Sequence, residues 1–195
     1  MAKANGTKHA MATTFAPPGL EASQAGEAAS LLQGRLVALI DLALTLKHAH
    51  WNVVGPHFIG VHKMIDPHVE EVQGMIDATA ERIAILGASP DGRPGSLVAS
   101  RSWDDYDLGR ALADEHLGAL DRVYVGLLED HRAAIERAGE LDPVSEDLLI
   151  QQMHALELFH WFVRAHLEDT SGRLATAGET TESGAARRAR TAARA

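Results

Sequence analysis

Four long runs of this chain repeat apolar residues at helical spacing, and that pattern sets the fold class. The first extends from Ser23 to about His50 through Ala28, Leu31, Leu32, Leu36, Ile40, Leu44 and Leu46. The second, from about His57 to Leu86, carries Phe58, Val61, Ile65, Val69, Val72, Ile76, Ala80 and Ile83. The third covers about Asp107 to Ala138 with Leu112, Leu117, Leu120, Val123, Tyr124, Leu127, Leu128 and Ile135. The fourth opens at Leu141-Asp142-Pro143, where Asp142 can cap and Pro143 can take the first helical position, and it contains Leu148, Leu149, Met153, Leu156, Phe159, Phe162, Val163 and Leu167. Alternating β-branched runs are absent, so no strand is expected. The reading is an all-α four-helix bundle. The turn-rich stretch from Gly87 to Gly95, followed by a short helical piece around Ser96–Ser100, makes a long connection between the second and third helices.

On the second run lie His62, Asp66, Asp77 and Glu81, at spacings of 4, 11 and 4. At roughly 100° per residue these four positions span only about 100° of one helix surface. A neutral imidazole beside hard carboxylate oxygens suits Fe, Mn or Zn rather than Ca or Mg alone. Either pair by itself is an ordinary helix-surface arrangement; the shared stripe, with His50-Trp51 upstream, points to a metal centre. Length then restricts how it can be built. From Asp66 to Asp77 a helix rises about 16 Å, too far for one small centre. A joint site needs a second subunit, antiparallel to the first, that presents its Asp77 and Glu81 to His62 and Asp66. Pro67 sits between the two pairs and predicts a kink or the loss of one hydrogen bond.

Other chemistry finds less support. Glu157-Leu158-Phe159-His160 is a lone Glu-x-x-His, where a single-chain di-iron bundle needs two; chance spacing beside an aromatic core accounts for it. His-Glu-x-x-His, a Walker loop and Gly-x-Ser-x-Gly are missing. With no cysteine in 195 residues there is no disulfide, thiolate zinc site or Cys nucleophile. No segment approaches the roughly 18 consecutive apolar residues of a bilayer span, and the N-terminus lacks the apolar stretch of a signal peptide; no membrane role and a cytoplasmic location are expected. Charge is uneven. Residues 21–170 hold 25 acids against 11 Lys and Arg, while 1–20 carry Lys3 and Lys8 without an acid and 171–195 carry five Arg against two Glu. An acidic body attracts cations; basic ends imply a separate role. Residues 1–20 are expected to be a flexible basic extension, 21–170 the bundle, and 171–195 a flexible Arg-rich tail with too little apolar content to fold alone.

The segments Lys47-His48-Ala49-His50-Trp51-Asn52-Val53-Val54-Gly55-Pro56, Phe58-Ile59-Gly60-Val61-His62 and Asp77-Ala78-Thr79-Ala80-Glu81-Arg82 resemble the Dps family, the mini-ferritins known as DNA-binding proteins from starved cells. So do Trp103-Asp104-Asp105-Tyr106 and Trp161-Phe162-Val163-Arg164-Ala165-His166-Leu167, and the likeness covers roughly residues 20–170. It implies a ferritin-like bundle assembled into a hollow dodecamer, with a two-iron ferroxidase centre at each dimer interface. His50, His62 and Asp66 of one subunit would meet Asp77 and Glu81 of the other, Glu81 as the bridging or chelating carboxylate. Trp51 stands where the family keeps an aromatic beside the centre, an electron donor or a packing residue. By the same resemblance, acidic pores for iron uptake would involve Asp121, Glu129 and Asp130 of the third helix. Hydrogen peroxide would be the oxidant, and a ferric mineral core would fill the shell. Sequence-independent, nucleoid-associated DNA binding is expected through Arg187, Arg188, Arg190 and Arg194, with Lys3 and Lys8. Iron oxidation, storage and protection of DNA from oxidative damage make the leading function; the alternative is a DNA-compacting nucleoid protein with iron oxidation secondary.

Overall fold

The computed structural model describes residues 10–101 and 103–194. Four long helices make the bundle: α1 (Ala22–Asn52), α2 (Phe58–Ile85), α4 (Ala113–Leu141) and α5 (Pro143–Ala165). A short α3 (Pro94–Ser100) lies in the long connection, and a sixth helix, α6 (Glu182–Ala192), follows the bundle. The apolar stripes meet in two adjoining core clusters. One gathers Leu42, Leu46, Ile65, Val72, Leu117, Leu120, Tyr124, Leu156, Phe159 and Val163. The other, around the start of α1 and the ends of α2 and α4, gathers Leu32, Leu36, Ile83, Leu86, Ala138 and Leu149. By length and composition α1 is apolar enough to cross a membrane, but Leu32, Leu39 and Leu46 are spent on this core.

Two residues at each of two places pair as parallel strands, β1 (Val53–Val54) and β2 (Ala111–Leu112), which the alternation rule did not anticipate. A two-residue backbone pair needs no side-chain alternation. It fixes the connectivity: the end of α1 and the start of α4 lie at the same end of the bundle, so α2 and α4 run in the same direction and the α2–α4 link must travel the bundle's length. This is the single-crossover arrangement of ferritin-like bundles. Asp41, midway along α1, holds the crossover by accepting from Trp103 Nε1 (2.6 Å) and Arg101 (2.9 Å). α4 begins at Ala113 rather than Asp107, because the chain through Gly109 is still extended toward β2; Glu115 then accepts from Leu112 N at its start. At the α4–α5 corner Asp142 caps as expected, accepting from the Ser145 N–H at 3.1 Å and from Arg82 at 2.5 Å. Pro67 is accommodated within α2, which is helical on both sides of it.

The two ends depart from the sequence reading. Residues 10–20 pack on the bundle: Met11 N donates to Gly26 O (3.1 Å) and Thr14 N to Gly87 O (2.9 Å), beside the positive-φ turn at Gly87. After Leu167 the chain is anchored rather than loose. Thr176 Oγ1 donates to Asp121 Oδ2 at 2.9 Å, and Thr181 caps α6 by accepting from Gly184 N at 3.1 Å. Ala185, Ala186 and Ala189 are buried against α4, where a side chain on Gly118 would meet Ala185 O at 2.7 Å. The estimate of too little apolar content failed because alanines opposite a glycine pack backbone to backbone, which large side chains would prevent.

Two buried histidines tie this fold to pH. Burial lowers the pKa of His68 from 6.5 to about 4; its ring stacks on Phe159 at 4.0 Å and its Nε2 has no hydrogen-bond partner. Burial, with Arg35 nearby, likewise lowers His131 to about 4. The unfolded chain takes up these protons from pH 6.5 downward and the folded chain does not, so their neutral-state stability is complete above pH 6.5 and is lost as pH falls toward 4. Each group contributes up to about 3 kcal/mol to that slope. Urea midpoints measured between pH 7 and 4 should fall steadily, and His68→Phe, which preserves the stack, should flatten the decline.

Candidate metal centre

The end of α1 and the first turns of α2 bring His50, His62 and Asp66 together. The tight link through β1 and Gly55 (φ 97°) folds α2 back beside α1. The two imidazoles stack with centroids 3.7 Å apart. His50 Nδ1 lies 2.9 Å from the carbonyl oxygen of His62, and His62 Nδ1 lies 3.0 Å from that of His50. A carbonyl can only accept, so each neutral ring carries its proton on Nδ1 and leaves the Nε2 lone pair for a ligand. A hydrogen bond to the far nitrogen is the usual way a protein orients a metal-binding histidine. Asp66 Oδ1 is 3.3 Å from His50 Nδ1 and accepts from Lys47 Nζ at 3.1 Å. The Lys47 hydrogen bond is the main cause of the lowered pKa of Asp66, which keeps this carboxylate ionised.

Asp77 and Glu81 lie farther along the same stripe of α2, exposed, and neither makes an ion pair among the described residues. Along continuous α2 the rise from Asp66 to Asp77 is about 16 Å. Among the described residues of one chain, no group of three or more His, Asp or Glu is arranged to hold an ion. One protomer therefore carries two separated groups: His50, His62 and Asp66 at the α1–α2 turn, and the Asp77–Glu81 pair in the last third of α2. Trp51, 71% exposed, flanks the first set, with Lys47 Nζ 6.0 Å from its ring centroid. Phe58 packs on the His62 ring at 4.8 Å.

Other sequence candidates are distributed differently. Asp121 is 3% exposed, and both its oxygens are engaged, one with His160 Nε2 at 2.9 Å and the other with Thr176. Burial opposes its ionisation, but the hydrogen bonds from His160 and Thr176 outweigh it and leave the pKa lowered. Within the protomer Asp121 is buried and anchors the C-terminal segment. Glu129 and Asp130 are exposed, with Arg35 3.8 Å from Asp130. The Glu157-x-x-His160 spacing is no ligand pair, since Glu157 pairs with Arg132 while His160 bonds Asp121. Arg187, Arg188 and Arg190 are exposed on α6 and Arg194 lies in the turn just after it: Arg188 pairs with Glu179 (2.8 Å) and Arg190 with Glu115 (3.2 Å), whereas Arg187 and Arg194 have no carboxylate partner among the described residues. Lys3 and Lys8 lie outside the described residues. Lys47 escaped the sequence reading, although its place one turn before His50 was a visible signal.

Comparison with known proteins agrees with this fold. The ferritin-like domain family matches residues 29–172. The DNA protection during starvation protein of Mycolicibacterium smegmatis is 56% identical over 178 residues, covering 91% of this chain and 97% of that protein. The fine tangled pili major subunit of Haemophilus ducreyi is 50% identical over 157 residues, covering 80% of this chain and 83% of that protein. Among solved structures, DpsA14 from Streptomyces coelicolor superposes with a TM-score of 0.84 at 58% identity, over 85% of this chain and 99% of that one. With a ferritin-like bundle and its crossover, and with these matches along most of its length, the chain belongs to the Dps family of ferritin-like proteins.

Proposed function

We propose that this protein is a ferroxidase and iron store whose oxidation centre is completed by two protomers. The observation that carries the reading is the division of ligands: His50, His62 and Asp66 converge at one end of α2, while Asp77 and Glu81 stand exposed and unpaired about 16 Å away along the same helix. Two copies related by a two-fold axis, with their α2 helices antiparallel, place each half-set against the other's complement twice over. Fe(II) is the substrate. Imidazoles bind it without adding charge, and the carboxylates favour the product Fe(III), because hard anionic oxygens prefer the higher charge. With hydrogen peroxide as oxidant, two Fe(II) each give one electron, the O–O bond breaks, and two protons complete two waters, so no hydroxyl radical leaves the site. The acidic body supports cation attraction and mineral nucleation inside a closed assembly, a dodecamer as in the family resemblance. Exposed Glu129 and Asp130 remain candidates for an uptake route; Asp121 does not.

Subunit mixing tests the division directly. His62→Ala and the double variant Asp77→Ala, Glu81→Ala should each be nearly inactive in Fe(II) oxidation. Refolded together they should recover activity approaching about a quarter of wild type, since about half of randomly formed dimers are mixed and each holds one of two sites intact. A mixture that stays dead, with mixed dimers demonstrated, contradicts a shared centre.

DNA binding belongs to the same proposal, carried by the folded face of α6. Arg187 on α6 and Arg194 in the turn after it are exposed without a carboxylate partner among the described residues, and repetition across an oligomer turns weak phosphate contacts into avidity. Arg187→Ala with Arg194→Ala should weaken a gel shift and its salt dependence more than Arg188→Ala, while Fe(II) oxidation stays unchanged. Equal retention by all variants would remove α6 from the DNA-binding role. Such a protein would act in the cytoplasm, on the nucleoid, shielding DNA from iron-driven oxidation.

A further inference from the structure

A cation already occupies part of the half-site. Lys47 Nζ donates to Asp66 Oδ1 at 3.1 Å, and that same oxygen lies 3.3 Å from His50 Nδ1. The ammonium thus holds the Asp66 oxygen that faces His50. An ammonium and a divalent ion on one carboxylate oxygen repel each other, so a metal ion taken up by Asp66 works against that contact. An alternative place for the ammonium exists within the side chain's reach. Lys47 and Trp51 are one turn apart on α1, Nζ is already 6.0 Å from the indole centroid, and the ring is exposed.

We propose that Lys47 is a displaceable counter-cation of the shared centre, holding Asp66 until a divalent metal arrives and then moving onto the Trp51 indole. This rests on the two-protomer reading above, and it gives Lys47 a positioning role rather than a ligand's. Before metal binds, the centre would gather Asp66 with the partner's Asp77 and the partner's Glu81, three carboxylates facing two neutral imidazoles. Lys47 offsets part of their repulsion and keeps Asp66 beside the histidines. When metal binds, the ion supplies that positive charge and Lys47 is released toward Trp51. The cost of releasing it lowers metal affinity, so the centre favours ions that reward the exchange with strong carboxylate bonds.

Zn(II), which suits His and carboxylate ligands and does not change oxidation state, is the probe. The assembled wild-type protein and its Lys47→Gln, Lys47→Arg, Lys63→Gln, His62→Ala and Trp51→Phe variants would be titrated calorimetrically and by tryptophan emission. Lys47→Gln should bind Zn(II) about two- to fivefold more tightly, the factor expected for freeing a half-exposed ion pair. Lys47→Arg should stay near wild type. Lys63→Gln removes an equal charge from an exposed position on α2 without contact to Asp66, and should change little. Zn(II) should alter the emission that Trp51→Phe removes, and Lys47→Gln should abolish that change. A merely structural lysine predicts weaker binding on removal. Equal or weaker Zn(II) binding by Lys47→Gln, or a Trp51 response that survives it, overturns the counter-cation role alone. Zn(II) binding indifferent to His62→Ala overturns the metal centre itself, and the Lys47 role with it.

Discussion

The separation of Asp66 from Asp77 along one helix is the constraint on which the functional account depends. A helix cannot bend 11 residues of rise into one coordination sphere, and Pro67 does not divide α2 into segments that could fold together. Contacts at the α1–α2 end hold His50, His62 and Asp66 together, the half-site of the proposed centre. The reciprocal Nδ1-to-carbonyl contacts lock both rings, Gly55 provides the tight return, and Lys47 ties down Asp66. The carboxylate pair receives no such support from its own chain. In the proposed centre, Asp77 and Glu81, exposed and without an ion pair among the described residues, are completed by a neighbour.

The same end of the molecule also collects the elements that close the fold. β1 and β2 bind the start of α4 to the end of α1, so the long crossover, leaving from the far end of α2, arrives beside the α1–α2 turn. α6 then lies along α4, and its last turn reaches the loop after β1: Arg190 and Arg194 line a shallow cavity with Val54, Pro56, His57 and Leu112. Asp121, His160 and Thr176 fasten the segment leading to α6 from beneath. The arginine face is thereby presented on a rigid support adjoining the ligand-bearing turn, where an unstructured tail would spread the same charge through solvent.

Much of this was legible in the sequence, and the failures have physical causes. Bundle helices announce themselves because each must bury one face along its whole length, and Asp142-Pro143 marks a corner by its own backbone chemistry. That His62, Asp66, Asp77 and Glu81 share one continuous helix was readable because helix geometry restricts spacing. The two-residue strands were invisible because backbone pairing of that length leaves no side-chain pattern. α6 was mistaken for a loose tail because alanine contributes little to hydrophobic counting yet packs closely against Gly118. That Asp121 is buried, unlike Glu129 and Asp130, could not be read because its partners, His160 and Thr176, are 39 and 55 residues distant in the chain. Lys47 was overlooked because a lysine near ligands reads as surface charge until its partner is known.

The central claim is that one metal centre draws its ligands from two chains. Diffraction from crystals of the assembled protein soaked in Fe(II) without oxygen, with data at the iron edge, addresses it most directly. The account predicts anomalous density between two antiparallel α2 helices, in contact with His62 and Asp66 of one protomer and with the partner's Asp77 and the partner's Glu81. Iron bound wholly within one chain, or density that leaves Asp77 and Glu81 untouched, would contradict it.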